Sequence, residues 1–329
     1  MTYCNLDDAR RYAGSMEQLA DARLVELAEG PGRGSRLIEF RNGSGLAFTV
    51  APDRGMDLVD CSFRGIPLVF RAPAGYVSGE RYEPQGTGWL RSWQGGLMTT
   101  SGLRNAGVPD GGHGLHGRAS HLAAEDVGIR RGASSGGGYR LEAVGTLRES
   151  AMFGEYLQLD RSVSTGFGDN SITLCDTITN LAPREDYLEL LYHCNFGYPF
   201  ASPDLEFEAP PHEVVPRDAE AAAGLAEWNR LDEPAPDYRE QCFFHKLPEG
   251  RIAVLNRKLG VKVTLVWNTD VLPDFVQWKN CLAGAYALGL EPTNASLRGR
   301  SADIADGVAR RLAPGEAVRT RLEFHFETV

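Results

Sequence analysis

Histidines are concentrated in one glycine-rich stretch of the chain, GGHGLHGRASH at residues 111–121. It holds three of the seven histidines, His113, His116 and His121, among four glycines. This glycine content predicts a loop rather than a helix. The histidine spacing is a weak zinc signal, and a phosphate-binding loop would need a following helix and a Lys-Ser/Thr pair. A metal site and a tight turn with hydrogen-bonded histidines stay open.

A second polar group ends an apolar run, LYHCNFGYPF at residues 191–200. His193, Asn195 and Tyr198 lie in this segment. Because successive side chains of a strand point to opposite faces, we expect His193 and Asn195 to share one face. The histidine fits either a site or a core position in which it donates to a backbone carbonyl.

The third candidate is Glu291, which ends the nearly continuous apolar run in AYALGLEPTNA at residues 285–295. A carboxylate buried there is costly unless it is paired or used chemically. The alternative is a glutamate at a strand end that faces solvent. In FVQWKN (275–280), alternation places Gln277 and Lys279 on one face and Trp278 on the other. Tryptophan beside polar donors suits carbohydrate, because the indole stacks on a sugar ring.

The elements that position these residues are predicted to be short strands. SRLIEF and LAFTV flank the turn RNGSG, and EYLQLDRSVS and NSITLCDTITN flank TGFGD. Turn signals recur roughly every 8–14 residues, which is typical of a large antiparallel sandwich or barrel. Weak helical signals occur at residues 15–28 and 219–228. The second lies in an acidic, proline-bearing stretch, 203–240, which we interpret as a long insertion loop.

Composition narrows the classes of function. The net charge is −10 and no basic cluster follows one face, which argues against nucleic-acid binding. No apolar run approaches the ~20 residues that span a bilayer. The N-terminal residues contain two early acids and no apolar signal-peptide core, so we expect a cytoplasmic protein. The six cysteines are scattered without a CxxC pair, and reduced thiols are expected.

Taken in order, these segments resemble the aldose 1-epimerase (galactose mutarotase) superfamily, and more narrowly its DUF4432 branch. The resemblance rests on HGLHGR, LYHCNFGYP, LGLEPTNA and the closing LAPGEAVRTRLEFHF, with VAPDRGMDLVDCSFRG earlier in the chain. It extends from about residue 24 to the C-terminus. It implies an all-β fold, the galactose mutarotase-like β-supersandwich of large antiparallel sheets. We expect one domain, 1–329, with an N-terminal extension (1–22) and the insertion loop (203–240).

The same resemblance implies the chemistry. His193 corresponds to the family's general acid, Glu291 to its general base, and His116 to the histidine beside the ring oxygen. Neither a cofactor nor a metal is implied, and the expected partner is a small-molecule carbohydrate. The further residues that we predict to bind substrate are Arg54, Arg104, Asn195, Tyr198, His245, Gln277, Trp278 and Lys279.

Departures from the family pattern leave the substrate open. The family's hydroxyl-binding aspartate has no clear match, and the segment EQCFFHK offers Gln241 and His245 instead. Lys279, with Arg104 or Arg54, could favour an anionic sugar. Two alternatives to an epimerase are a carbohydrate-binding protein without activity and a metal-assisted isomerase or lyase that uses His113, His116 and His245. Free sheet edges could also pair two copies into a homodimer.

Overall fold

The computed structural model describes residues 5–134 and 136–329, which form two large antiparallel β-sheets. Within the described residues the strands are β1 (Asp21–Glu26), β2 (Arg36–Arg41), β3 (Leu46–Ala51), β4 (Asp57–Phe63), β5 (Ile66–Pro67), β6 (Met98–Leu103), β7 (Glu125–Ala133), β8 (Tyr139–Ser150), β9 (Tyr156–Gly166), β10 (Ser171–Asn180), β11 (Asp186–Gly197), β12 (Leu205–Glu208), β13 (Glu213–Pro216), β14 (Gln241–Lys246), β15 (Arg251–Asn256), β16 (Val261–Trp267), β17 (Asp274–Asn280), β18 (Ala287–Thr293), β19 (Arg310–Leu312) and β20 (Ala317–Thr328). The α-helices are α1 (Leu6–Tyr12), α2 (Ala219–Ala223) and α3 (Arg300–Ala305). Short 3₁₀ turns occur at Met16–Gln18, Gly79–Arg81, Gly88–Arg91, Ala119–His121 and Leu225–Glu227. The all-β prediction is confirmed.

Each sheet follows a simple strand order. The large sheet runs β1-β2-β3-β4-β6-β11-β18-β17-β14-β13, with β5 beside β4 and β19 beside β11. The small sheet runs β12-β15-β16-β20-β10-β9-β8-β7. The predicted hairpins are present, since β2 pairs with β3 and β9 with β10 in antiparallel register. Of the central strands of the large sheet, β17 and β18 follow each other in the chain, whereas β11 comes from a distant part of it.

The core lies between the two sheets. Alternate residues of β10 are buried, among them Ile172, Leu174 and Ile178, and they belong to one apolar cluster with residues of both sheets. Tyr192 of β11 also points inward, and its hydroxyl donates to Asp176 of β10. Because side chains of a strand alternate, the neighbours of Tyr192 in β11 must point to the outer face of the large sheet.

A buried ion cluster joins the two sheets near their centre. Arg161 of β9 donates to the Asp176 carboxylate at 2.6 and 2.8 Å and to Asp57 of β4 at 3.1 Å. The Arg161 side chain is fully buried, and the Asp57 and Asp176 side chains are almost so. Thr100 of β6 donates to Asp57 as well, so the carboxylates keep hydrogen-bond partners in place of water.

The helical expectation for residues 15–28 is wrong. The segment forms the 3₁₀ turn Met16–Gln18 and then strand β1, which pairs with β2 from Asp21 to Glu26. Ala22 is packed in the core, and a six-residue ladder with β2 satisfies the backbone. Tertiary pairing therefore overrides the modest helical propensity of this segment. β1 also begins inside the stretch that the sequence assigns to an N-terminal extension.

The insertion loop predicted at residues 203–240 contains two short strands. β12 adds to the edge of the small sheet beside β15, and β13 to the edge of the large sheet beside β14. Their four-residue length and acidic composition conceal them in the sequence. The helical signal at 219–228 is confirmed as α2 followed by a 3₁₀ turn. The segment after β13 crosses the edge of the large sheet and supplies part of the site described below.

Two expectations from composition concern thiols and membranes. The cysteines at positions 61, 175, 194, 242 and 281 are free, as predicted, and Cys4 lies outside the described residues. Within the described ranges, no helix combines the length and apolarity needed to cross a bilayer.

Candidate active site

A cavity of about 320 Å³ opens on the outer face of the large sheet, above β11, β18, β17 and β14. Its floor comes from those strands and includes His193, Glu291 and Trp278. Its walls come from the 3₁₀ turn at 88–91 and from the segments that follow β6, β13 and β18. The strands therefore fix the centre of the cavity, and irregular segments shape its rim.

Strand register brings the two candidate catalytic residues together. β11 and β18 are antiparallel, with Cys194 opposite Leu290. The residue before Cys194, His193, is thus opposite the residue after Leu290, Glu291. Nε2 of His193 lies 3.2 Å from Oε1 of Glu291. Their exposed fractions are 5% and 2%, so the solvent-facing alternative for Glu291 is excluded.

Glycine at position 289 makes room for the Glu291 carboxylate. Gly289 lies opposite Asn195 of β11 and Trp278 of β17. A Cβ atom at this position would come within 2.3 Å of Oε1 of Glu291 and 3.0 Å of Cβ of Trp278. A side chain of any size here would displace one of the two groups.

Burial pushes the pKa values of the pair in opposite directions. It raises the pKa of Glu291 well above its ordinary value, and the nearby Glu240 adds to the rise while Arg217 opposes it. Burial also lowers the pKa of His193 to about 3, with a further lowering from His116 and an opposing effect from Asn195. Both shifts favour uncharged forms. The environment thus disfavours a negative charge on Glu291 and a positive charge on His193.

His116 reaches the cavity from the glycine-rich loop after β6. Its backbone has φ +58°, and its Nδ1 lies 2.8 Å from the carbonyl oxygen of Ala106. Since a carbonyl only accepts, Nδ1 carries the proton, and a neutral ring leaves Nε2 as an acceptor. Gly117 must be glycine, because its φ is +70° and a Cβ would come within 2.4 Å of the Asn105 carbonyl oxygen. The tight-turn interpretation of this loop is thus supported.

Three tryptophans surround the two histidines. The ring centroids of Trp93 and Trp278 lie 5.4 and 5.5 Å from that of His193, and Trp89 lies 4.6 Å from His116. Each indole N–H donates to the protein, for example from Trp93 to Thr99 at 3.1 Å. The rings are therefore held in place. Trp89 and Trp93 also stack on each other and are almost fully buried, so Trp278 keeps the larger exposed surface for a ligand.

An ion pair stands at the mouth of the cavity. Arg217, just after β13, donates to Glu240, just before β14, at 3.2 Å, and to Asp218 at 2.8 Å. The other oxygen of Glu240 accepts a 2.7 Å hydrogen bond from Trp278. Cys242 lies beneath them, and its side chain shares a face with Trp278 because the two residues are opposite each other. This group supplies charged hydrogen-bonding atoms on the side of the cavity away from His116.

Residues 32–326 match the family described as "Domain of unknown function (DUF4432)". That range is nearly the whole chain. The protein belongs to the DUF4432 family. No curated protein matches its sequence.

Solved structures share the fold of this DUF4432 protein. A "putative aldose 1-epimerase" from Klebsiella pneumoniae aligns with a TM-score of 0.87 at 24% identity, over 95% of this chain and 86% of the other. Galactose 1-epimerase from Lactobacillus acidophilus aligns at 0.63 and 13% identity, over 94% and 99%. A galactose mutarotase-like protein from Clostridium acetobutylicum aligns at 0.62 and 12% identity, over 95% and 100%. The DUF4432 protein therefore has the galactose mutarotase-like fold.

Four residues singled out in the sequence meet in the cavity of the DUF4432 protein: His116, His193, Trp278 and Glu291. Asn195 shares the outer face with His193, as alternation predicts, but lies beneath it. Its amide donates to the carbonyl oxygens of Gly96 and His193, and none of its surface is exposed. Tyr198 lies after β11 and is 77% exposed. Neither Asn195 nor Tyr198 lines the cavity.

The two predicted arginines lie elsewhere. Arg54 is buried, and its guanidinium donates to the carbonyl oxygens of Ser120, Val77 and Ser92. Burial lowers its pKa to about 10. These contacts join the three loops that contain Ser120, Val77 and Ser92. The Arg54 side chain does not line the cavity. Arg104 binds the Glu155 and Asp186 carboxylates at 3.1 Å each and also lines no part of the cavity.

Gln277, Lys279 and His245 share the opposite face of their strands. Gln277 donates to the carbonyl oxygen of Trp228, and its own oxygen lies 3.1 Å from Nε2 of His245. Lys279 is buried and pairs with Asp232 at 2.9 Å. Gln277 and Lys279 contact the segment after β13, and His245 contacts His212, which precedes β13. None of the three lines the cavity. With Arg54 and Arg104 also placed elsewhere, the basis for a preference for anionic sugars disappears.

The histidines of the metal alternative do not meet either. His113 lies beside Arg104, and burial with this cation lowers the pKa of His113 to about 4. His245 contacts His212 at 2.8 Å on the far face of the sheet. His121 is buried against Arg54 and Ser92, consistent with a structural role. Across residues 5–134 and 136–329, no group of three or more His, Cys, Asp or Glu side chains could hold a metal ion.

Sequence reasoning missed Trp89, Trp93, Arg217 and Glu240. The first two lie in the segment GWLRSWQGG at 88–96, where two tryptophans among glycines are a usable signal. Glu240 opens the EQCFFHK segment, and period 2 already groups it with Cys242 rather than with Gln241. Arg217 has no such signal, because only the pairing of β13 with β14 brings it to the cavity.

Proposed function

We propose that this DUF4432 protein interconverts the anomers of an aldose by acid–base catalysis at His193 and Glu291. The observation that carries the proposal is the pair itself. A buried imidazole and a buried carboxyl group, 3.2 Å apart, form the floor of a cavity with indole walls. A binding site for sugar alone has no need for two buried proton-transfer groups with opposed pKa shifts.

The reaction needs one base and one acid. Glu291 takes the proton from the anomeric hydroxyl, the bond between C1 and the ring oxygen breaks, and His193 gives a proton to that oxygen. The product is the open-chain aldehyde. Rotation about C1–C2 exposes the other carbonyl face, and the same steps in reverse close the ring to the other anomer. No atom is gained or lost, so the reaction requires no co-reactant.

One titratable proton shared between His193 and Glu291 is enough for this catalytic cycle. Glutamate with imidazolium and glutamic acid with imidazole each contain one acid and one base. Burial favours the second form. Hydroxyl groups of a bound sugar can solvate the first form and make Glu291 the base, as the family resemblance implies. Nε2 and Oε1 lie 3.2 Å apart, so a small rotation of the two side chains into hydrogen-bond alignment would allow proton exchange.

The other residues of the cavity bind the sugar in this proposal. Nε2 of His116, an acceptor in the neutral ring, accepts a hydrogen bond from a sugar hydroxyl. Glu240 and Arg217 take hydroxyls on the opposite side of the ring, a task for which the family resemblance suggests an aspartate. The indole faces of Trp93 and Trp278 pack on the apolar face of the ring.

Replacing Glu291 by glutamine tests the proposal. The amide keeps the shape of the side chain but cannot accept the proton, and general acid–base catalysis typically contributes 10²–10⁴-fold. We expect anomerisation of an aldose, measured by one-dimensional exchange NMR, to fall by about 10³-fold. Glu249→Gln, an exposed glutamate far from the cavity, is the matched control and should keep the wild-type rate.

Sugar binding by the Glu291→Gln variant separates catalysis from folding. Saturation-transfer NMR should still detect binding, since the cavity walls are unchanged. Anomerisation at the wild-type rate by this variant would refute the acid–base scheme. Binding without anomerisation by the wild-type protein would instead support the alternative of a carbohydrate-binding protein, which the tryptophans equally suit.

A further inference from the structure

The geometry points to a substrate class for this cavity: an uncharged aldose with an apolar substituent at C5, such as a 6-deoxyhexose. The inference rests on the proposed reaction at His193 and Glu291, because that reaction sets the orientation of the ring. It specifies the substituent at C5, on the part of the sugar ring that does not react.

The charges of the cavity disfavour an anionic sugar. Its lining contains the carboxyl groups of Glu240 and Glu291 and the guanidinium of Arg217. The guanidinium of Arg217 is already shared between Asp218 and Glu240, at 2.8 and 3.2 Å. A uronate or sulfonate would meet acidic groups and a cation that is already paired. An uncharged sugar avoids this desolvation and repulsion.

Proton transfer fixes which side of the ring meets which wall. The base must contact the anomeric hydroxyl on C1, and the acid must contact the ring oxygen. C2 is bonded to C1, and C5 is bonded to the ring oxygen. The C2 and C3 hydroxyls therefore extend from Glu291 toward the Glu240–Arg217 pair, and the C5 substituent lies on the side of His193 where the His116 ring is 5.6 Å away.

The wall on the His193 side is apolar apart from His116. Leu115 adjoins His116 in the chain, and the backbone of Val108 donates to the carbonyl oxygen of Leu297 at 3.3 Å, which joins the two loops that close this side. Val108 is 47% exposed at the rim. Exposed aliphatic side chains that line a cavity commonly contact an apolar part of the ligand.

The lining also lacks the neutral groups that usually bind a sugar hydroxyl. Of the residues that the structure describes, no Ser, Thr, Asn, Gln or Tyr lines the cavity. A hydroxymethyl group at C5 would place its hydroxyl against aliphatic carbon without a partner, which is unfavourable. A methyl group at the same place buries apolar surface instead.

Matched sugar pairs test the inference with the wild-type protein. D-Galactose is compared with 6-deoxy-D-galactose and L-mannose with 6-deoxy-L-mannose, with D-galacturonate as the anionic probe. We expect kcat/KM for anomerisation to be about tenfold higher, or more, for each 6-deoxy sugar than for its parent. D-Galacturonate should be slower than D-galactose. An equal or higher value for the parent sugars would overturn the inference.

Val108→Thr tests the wall itself. It keeps the shape of the side chain and adds a hydroxyl that can bind the C6 hydroxyl of a parent hexose. We expect the ratio of kcat/KM for the 6-deoxy sugar to kcat/KM for its parent sugar to fall at least threefold. Val308→Thr is the control, because Val308 is similarly exposed (37%) but lies after α3, outside the cavity lining. An unchanged preference in Val108→Thr would contradict the assignment of this wall.

Binding distinguishes this inference from the proposed function. Saturation-transfer NMR compares the affinity for each sugar pair independently of turnover. Stronger binding of the 6-deoxy sugars without anomerisation would refute the proposed function and support the substrate class. Anomerisation of parent and 6-deoxy sugars with equal efficiency would support the proposed function and refute the substrate class.

Discussion

At the scale of single residues, the candidate site depends on a position that has no side chain. His193 and Glu291 face each other because of strand register, but the carboxyl group of Glu291 occupies the space beside Gly289. Trp278 closes the same space from β17. Glycine two residues before the glutamate thus leaves room for the candidate pair, and we expect the rate of anomerisation to be sensitive to this position.

Gly289→Ala should lower activity more than stability. The new Cβ would come within 2.3 Å of Oε1 of Glu291, so the carboxyl group must move. A displacement of about 1 Å in a catalytic group can cost about 10²-fold in rate. We expect kcat for anomerisation to fall at least tenfold while circular dichroism still reports a folded protein. Gly14→Ala, where a Cβ meets nothing within 4 Å, should leave kcat unchanged.

At the scale of elements, β17 divides its side chains between two tasks. Trp278 faces the cavity, and Gln277 and Lys279 face the segment that follows β13. That segment carries Arg217 into the cavity. The polar residues on the far face of β17 therefore stabilise a segment of the site without contacting the ligand.

Gln277→Leu tests this division. Gln277 is fully buried, and its loss leaves the carbonyl oxygen of Trp228 and Nε2 of His245 without their partners. An unsatisfied buried polar group costs about 1–3 kcal/mol. We expect the free energy of unfolding in urea to fall by about 2 kcal/mol and kcat to stay within about threefold. The exposed Gln18→Leu should change neither quantity. A large rise in KM with unchanged stability would instead indicate that Gln277 binds substrate.

At the scale of the whole molecule, the buried ion cluster is a polar link between the two sheets. Arg161 of the small sheet binds Asp57 of the large sheet and Asp176 of its own. Burial raises the pKa of Asp57, and the charge of Arg161 opposes that rise. Losing the arginine would leave two acidic groups in the interior without their cation.

Arg161→Met should therefore destabilise the entire fold. Removing one partner of a buried ion pair typically costs about 3–5 kcal/mol, and we expect a loss of about 4 kcal/mol in the free energy of unfolding, measured in urea. Arg148→Met on the adjacent strand β8 is the comparison, because Arg148 pairs with an exposed Glu125. Water screens that exposed pair, so its loss should change the free energy of unfolding far less than the loss of Arg161. Equal effects of the two substitutions would show that the cluster does not hold the sheets together.

The sequence by itself determined the all-β class, and it singled out the four residues that meet in the cavity: His116, His193, Trp278 and Glu291. Alternating strands and turn signals are local properties, so the hairpins β2–β3 and β9–β10 could be predicted from short segments. Alternation also separated Trp278 from Gln277 and Lys279 correctly. Alternation could not show which face of β17 lines the cavity, because both faces carry polar or aromatic residues.

Tertiary structure alone decided which distant segments meet. Pairing of β13 with β14 brings Arg217 and Glu240 to the mouth of the cavity. Lys279 and Arg104 instead form ion pairs outside the cavity, with carboxylates that are distant from them in the sequence. A strand's partners and the ion pairs of its side chains are set by contacts between remote residues, which no local pattern contains. The sequence could therefore nominate His193 and Glu291 as a candidate acid and base, and only the fold placed them 3.2 Å apart within their surroundings.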